Sequence, residues 1–274
     1  FQNLKKNKKK ALITFVTGCD PDYNTSQKIL KELVKQGANV LEIGMPFSDP
    51  MADGPSIQKS NLRSLSTGTN MKKIFRLVSD FRKKNKVTPI VLMGYLNPIL
   101  SFGIEKFFKS AKSAGTDGLI VVDVPPEEDD EIFNTAKENN IDLIKLATPT
   151  TNSERLKKIL KTCSGFLYYV SIKGITGAKS ANPKIVKKAI NNIKKNTNIP
   201  VAVGFGIKGP KDAAAIANTG CDGIVVGSAL VEIIENSLRK KKSKHNIAQK
   251  VGNMVKSLRT KLSWIGFRTL RRLE

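Results

Sequence analysis

Leu41-Glu-Ile-Gly-Met-Pro-Phe-Ser-Asp-Pro-Met-Ala-Asp-Gly-Pro-Ser-Ile-Gln58 passes from a short apolar segment through a Pro/Gly-rich loop into a helical pattern. Glu42 lies inside the apolar segment, and Asp49 and Asp53 lie on the loop beyond it. A carboxylate in a buried strand is costly unless it is paired, neutralised or used. The two-residue period of a strand puts Leu41 and Ile43 on one face and Val40, Glu42 and Gly44 on the other. The aliphatic pair suits a helix-covered face. Glu42 is therefore expected to point the opposite way, where it and the loop carboxylates can face one substrate, as acid–base catalysis requires.

The same strand–loop–helix unit recurs along the chain. Apolar runs at Ala11–Thr17, Val40–Gly44, Pro89–Met93, Gly118–Val122, Asp142–Ala147, Phe166–Val170, Val201–Gly204 and Gly223–Gly227 are each followed by Gly, Pro or Asp and then by helical spacing. Ser26–Gln36 carries Ile29, Leu30, Leu33 and Val34 on one face and stops at Gly37. Ile104–Ala114 stops at Gly115, and Lys211–Asn218 at Gly220. Eight strands alternating with helices predict an α/β fold, a single (β/α)8 TIM barrel with its chemistry at the C-terminal strand ends. A doubly wound sheet needs fewer strands, and no GxGxxG follows the first one. No linker breaks the pattern. One domain is expected over residues 1–274, with the barrel core at about residues 11–236 and a basic C-terminal helix or tail at 237–274.

Composition narrows the chemistry. His245 is the only histidine, so a His-based zinc site, a Ser-His-Asp triad and a Cys-His pair are excluded. Carboxylate chemistry without a cofactor, or a lysine Schiff base, remains. Three scattered cysteines without CxxC spacing fit a reducing compartment, and the expected location is the cytoplasm. No apolar run approaches the roughly 18 residues of a membrane span, so no membrane partner is expected. A net charge of +24 invites a nucleic-acid reading. The lysines, however, are spread over nearly every predicted helix rather than gathered into one stripe, and no nucleic acid is expected. The dense cluster from Arg239 to Lys244 reads as an exposed loop.

Small residues fall after each of the last three strands: Gly174-Ile-Thr-Gly177, Gly204-Phe-Gly206 and Gly227-Ser228. Glycine lets backbone N–H groups approach an anion, and Ser228 is placed to cap a following helix whose N-terminus favours a phosphate. Loops after the seventh and eighth strands are the recurrent phosphate site of such barrels.

These segments together resemble the tryptophan synthase alpha chain family. The motif LEIGMPFSDPMADGPSIQ is accompanied, in the family's order, by ALITFVTGCDP, MGYLNPIL, VVDVPPEE, LATPTT, SIKGITGA, GFGI and IVVGSALV, from about residue 11 to about 236. The resemblance implies retro-aldol cleavage of indole-3-glycerol phosphate to indole and glyceraldehyde 3-phosphate without a cofactor. Glu42 would be the general acid–base at the reacting carbon, and Asp53 would hold the indole N–H. Phe15, Met93, Tyr95, Leu146 and Tyr168 would line the indole pocket. Gly177, Gly204, Phe205, Gly206, Gly227 and Ser228 would hold the phosphate, and Thr176 would close over the ligand. The resemblance also implies a tryptophan synthase beta chain as partner in an alpha2-beta2 heterotetramer, with pyridoxal phosphate in the beta chain only. Pro46, Asp49, Asn97 and Pro125 are candidates for that interface.

The chain departs from the family at Cys19, where glycine is usual, at Ile172, where arginine is common, and at Gly94, where threonine often stands. The tail beyond Ser237 resembles the family poorly. Two readings compete within the barrel fold. One is a stand-alone indole-3-glycerol phosphate lyase. The other is a Schiff-base aldolase using Lys145 or Lys173, although Lys145 faces the helices if Ile144 and Leu146 face inward.

Overall fold

The computed structural model describes residues 1–171, 182–204, 206–240 and 243–270. Its parallel strands are β1 (Ala11–Thr17), β2 (Val40–Gly44), β3 (Ile90–Gly94), β4 (Gly118–Val121), β5 (Asp142–Leu143), β6 (Lys145–Ala147), β7 (Leu167–Val170), β8 (Val201–Gly204) and β9 (Gly223–Val226). They hydrogen-bond in the order β5-β4-β3-β2-β1-β9-β8-β7-β6. The two ends of this sheet are consecutive in the chain. The expected fifth strand is interrupted at Ile144, its first half pairing with β4 and its second with β7. The Ile144 N–H still donates to the Leu119 carbonyl at 2.9 Å. The sheet thus closes around one residue, and the architecture is the expected (β/α)8 barrel.

Strand alternation sorts side chains into two layers. Ala11, Ile13, Val40, Val91, Ile120, Ile144, Phe166, Ala202 and Val225 fill the barrel interior. Leu12, Leu41, Ile43, Leu92, Leu119 and Leu167 face the helices, where they form the larger core. The N-terminal end of the barrel is closed by Phe1 and Leu4, with the Phe1 and Phe166 ring centres 5.5 Å apart. The C-terminal ends of the strands form the opposite mouth of the barrel.

Helix boundaries follow local chemistry. The first long helix is Tyr23–Lys35, starting earlier than its apolar pattern because Asp22 caps it by accepting from the Thr25 N–H at 3.0 Å. Helix Ile104–Ala114 ends as expected at Gly115, whose φ of +94° is left-handed.

The C-terminal region takes the helical form of its two expected alternatives. Lys244–Leu270 is one helix. It buries Ile247, Ala248, Val251, Val255, Leu258 and Leu262 in the outer core, against helices Tyr23–Lys35 and Pro210–Ala217. Arg259 fastens it by donating to the Gly37 carbonyl at 3.0 and 2.8 Å and to the Lys10 carbonyl at 3.1 Å. Lysine-rich composition hid an apolar stripe that has a function only once the barrel's side is there to cover. Arg239, in the cluster read as a loop, is the last residue of helix Ser228–Arg239. No helix among the described residues is long and apolar enough to cross a membrane.

Candidate active site

A cavity of about 280 Å³ opens at the C-terminal ends of the strands, lined by Phe15, Glu42, Asp53, Met93, Tyr168, Gly206, Gly227 and Ser228 among others. These eight were expected from sequence, and they come from seven separate segments of the chain. Glu42 projects inward from β2, as the alternation predicted, between Phe15 of β1 and Val91 of β3. It is 1% exposed, and its Oε2 has no hydrogen-bond partner among the described residues. Burial alone pushes its pKa up to about 8. No described cation offsets that burial, so the carboxyl is protonated at neutral pH.

Asp53 lies at the end of the β2 loop, just ahead of helix Pro55–Ser66. Burial raises its pKa to about 6, opposed by hydrogen bonds from Asn61 and Tyr95. The Asn61 Nδ2 donates to Asp53 Oδ2 at 3.2 Å. At neutral pH the cavity therefore holds one carboxylic acid and one carboxylate. Asp49, the other loop carboxylate, is exposed and bonded to Ser48 Oγ at 2.5 Å, so it does not face the cavity.

Tyr95 was expected in the pocket wall, but it acts on the loop instead. Its hydroxyl accepts from the Ala52 N–H at 3.0 Å and bonds to Asp53, while its ring stacks on Phe47 with centroids 5.4 Å apart. Leu146 faces the barrel interior without lining the cavity. Tyr168 does line it and feels the charge of Glu42.

At the opposite end of the cavity, Gly206 has a φ of +74°, a conformation suited to glycine. Gly204 lies behind the wall. A Cβ there would overlap the Tyr168 hydroxyl, so this glycine makes room for the tyrosine. Its carbonyl is held by the Ser171 Oγ at 2.7 Å. Ser228 was expected to cap the last barrel helix; it is instead the first residue of helix Ser228–Arg239, and Gly227 occupies the cap without a side-chain bond. Gly227, Ser228 and Ala229, at the start of that helix, line the cavity, and the first N–H groups of a helix lack intrahelical partners. Thr176, Gly177 and Phe205, together with Ile172 and Lys173, lie outside the described residues.

Of the candidate interface residues, Asp49 and Asn97 are exposed, and Pro46 and Pro125 are half-buried. The Leu96 N–H donates to Asp123 Oδ1 at 2.9 Å, tying the loops after β3 and β4 together. The departure at Gly94 has a packing reason, because a Cβ there would come within 2.7 Å of the Met45 methyl. Cys19 holds a left-handed φ of +61°, which is why glycine suits that position.

Lys145 is paired with Asp129, which is fully buried beside helix Asp130–Glu138. It lies on the helix side of the barrel, remote from the cavity lining, and cannot form an imine there. Asn61 and Ile57 were not singled out from sequence; they lie four residues apart on one face of helix Pro55–Ser66, whose start follows Asp53. Lys208, Glu232, Ile233, Asn236 and Met254 also line the cavity. Met254 arrives from the C-terminal helix, and no local pattern announces it.

A family model described as Tryptophan synthase alpha chain matches residues 1–260. The match extends past the barrel into the C-terminal helix, correcting the impression that this region lies outside the resemblance. The structure is similar to tryptophan synthase subunit alpha from Legionella pneumophila, at 38% identity over 96% of each chain with a TM-score of 0.88. It is also similar to a chain of the tryptophan synthase a2b2 complex of Pyrococcus furiosus, at 38% identity over 91% of this chain and 98% of that one, with a TM-score of 0.82. A tryptophan synthase structure from M. tuberculosis in an aminoacrylate-bound form matches at 27% identity over 95% and 96%, with a TM-score of 0.83.

Proposed function

The chain belongs to the tryptophan synthase alpha chain family, and we propose that the cavity between Glu42 and Gly227 carries out that family's carbon–carbon lyase reaction. The carrying observation is the pair of carboxyls held in different protonation states within one cavity, Glu42 near 8 and Asp53 near 6. Two titratable groups pushed apart in this way divide acid and base work.

In indole-3-glycerol phosphate the bond to be broken joins indole C3 to the first glyceryl carbon. The protonated Glu42 gives its proton to C3, which places positive charge on the indole nitrogen. Asp53, ionised, accepts the indole N–H hydrogen bond and stabilises that charge. The glyceryl hydroxyl then loses its proton to the carboxylate of Glu42. As the aldehyde forms, the electron pair of the C–C bond returns to the ring, releasing indole and glyceraldehyde 3-phosphate. Proton count balances, and the steps need no cofactor.

Phe15, Met93 and Tyr168 supply an apolar seat for the indole ring, and Gly206, Gly227 and Ser228 supply backbone N–H groups for the phosphate, with Gly177, Gly204 and Phe205 completing that end and Thr176 closing over it. Tyr95 acts through Asp53, which its hydroxyl holds, and Leu146 packs in the barrel interior beneath the site. The barrel and the helix Lys244–Leu270 act as one domain. The partner is a tryptophan synthase beta chain in an alpha2-beta2 assembly, its pyridoxal phosphate consuming the indole. Pro46, Asp49, Asn97 and Pro125, on segments beyond the C-terminal ends of β2, β3 and β4, are the proposed contacts with that chain. Three free, buried cysteines support a cytoplasmic location.

The test is indole release from indole-3-glycerol phosphate by the purified chain, with and without a beta chain, beside Glu42→Gln. Weak activity that the beta chain raises and Glu42→Gln abolishes is expected. High activity that ignores the beta chain would point to a stand-alone lyase. Absence of activity under both conditions would overturn the reading.

A further inference from the structure

We infer that Lys208 and Glu232 tune the phosphate end of this cavity against each other, Lys208 strengthening the hold on a phosphomonoester and Glu232 weakening it. The inference rests on the placement of the phosphate at Gly206, Gly227 and Ser228. Lys208 is the only basic residue lining the cavity among those described. It follows directly from the left-handed turn at Gly206, and its backbone N–H is fixed by Asp212 Oδ2 at 3.0 Å. Its ammonium group is exposed and has no carboxylate partner among the described residues. The loop is held, while the charge it carries is left available.

Glu232 lines the same cavity from helix Ser228–Arg239. Four residues separate it from Ser228, so both lie on one face of that helix, one turn apart. Its Oε1 accepts a hydrogen bond from Ser56 Oγ at 3.1 Å, and no described cation neutralises it. In a chain of net charge +24, an unpaired carboxylate beside an anion site is a specific placement rather than a consequence of composition. A phosphate dianion there meets one attractive and one repulsive side chain in addition to neutral N–H donors. Their combined effect limits how tightly the phosphate product is held once the C–C bond has broken.

The experiment titrates glycerol 3-phosphate into the full chain by calorimetry, from low to physiological ionic strength, and measures KM and kcat with indole-3-glycerol phosphate. Lys208→Met is expected to weaken glycerol 3-phosphate binding about three- to tenfold and to flatten its salt dependence, with Lys208→Arg restoring both. Glu232→Gln, which keeps an acceptor for Ser56, is expected to tighten binding about two- to threefold. KM should move with these affinities more than kcat does, and binding of indole alone should not change. A purely structural role would move both variants in one direction. Shifts of the same sign, or no shift in either variant, would overturn the inference. If glycerol 3-phosphate behaves as expected while the chain shows no lyase activity, the reaction assignment falls and this inference stands. If lyase activity is present and both variants leave phosphate affinity unmoved, only this inference falls.

Discussion

Asn61 donates a hydrogen bond to Asp53 at 3.2 Å, whereas Glu42, in the same cavity, has an oxygen with no partner among the described residues. This difference separates the two carboxyls chemically. A hydrogen bond to the charged form favours ionisation, and unrelieved burial opposes it. One group is thereby an acid and the other an anion at the same pH.

Replacing Glu42 by Gln should separate activity from stability. The lyase rate is expected to fall by about 100- to 10,000-fold. A carboxyl whose pKa rises on folding from 4.5 to about 8 leaves the folded state holding a proton that the unfolded chain has lost. Stability is then highest below the unfolded value and declines as pH climbs through that window. Glu42→Gln removes the decline, which at neutral pH is on the order of 3 kcal/mol. Thermal melts should show the variant more stable than the wild type at neutral to alkaline pH, and equal to it at mildly acidic pH. Identical melts across the range would mean that Glu42 is not carrying a burial cost.

Asn61→Ala should move the acidic limb of the pH–rate profile. Loss of the hydrogen bond raises the Asp53 pKa further above its present value of about 6. Near that pH kcat/KM is expected to drop about three- to tenfold, with the two enzymes converging as the pH rises. A uniform loss at every pH would instead assign Asn61 a packing role.

Gly204→Ala puts a methyl group where the Tyr168 hydroxyl lies. The overpacking should cost about 1–3 kcal/mol and displace the ring from the cavity wall. Adding Tyr168→Leu should recover the stability, read by denaturant titration, without recovering substrate affinity. If Gly204→Ala alone is as stable as the wild type, the glycine is not there to accommodate the tyrosine.

Lys145→Met leaves Asp129 buried without its cation, which should destabilise the fold by about 3–5 kcal/mol. Pairing it with Asp129→Asn should restore most of that loss. The rescued double variant is expected to release indole at the wild-type rate, and borohydride should trap no substrate on the wild-type protein. An inactive but stable double variant would reopen the lysine mechanism.

Much of the site was legible because it depends on short-range regularities. The alternation in β2 placed Glu42 inward before any coordinates, and the glycine runs marked the segments after β8 and β9 that line the cavity. The misreadings share another cause. Tyr95 is close in sequence to cavity residues but turns toward the β2 loop, because Ala52 and Asp53 offer its hydroxyl partners. Ser228 looks like a cap, yet Gly227 occupies that position. Asn61 looks like any polar helical residue until the loop folds back and sets Asp53 beside it.

From the sequence by itself came the eightfold strand–helix rhythm, the inward face of the second strand, the two carboxyls and the family to which the chain belongs. Each is carried by residues a few positions apart, where backbone periodicity alone sets direction. Only the tertiary structure decided that Glu42 Oε2 has no partner among the described residues, that Lys145 is neutralised by Asp129, and that Lys208, Glu232 and Met254 reach one cavity. Those facts depend on which distant segments meet when the barrel closes. Burial and the charges it brings together are properties of that closure, and no local pattern carries them.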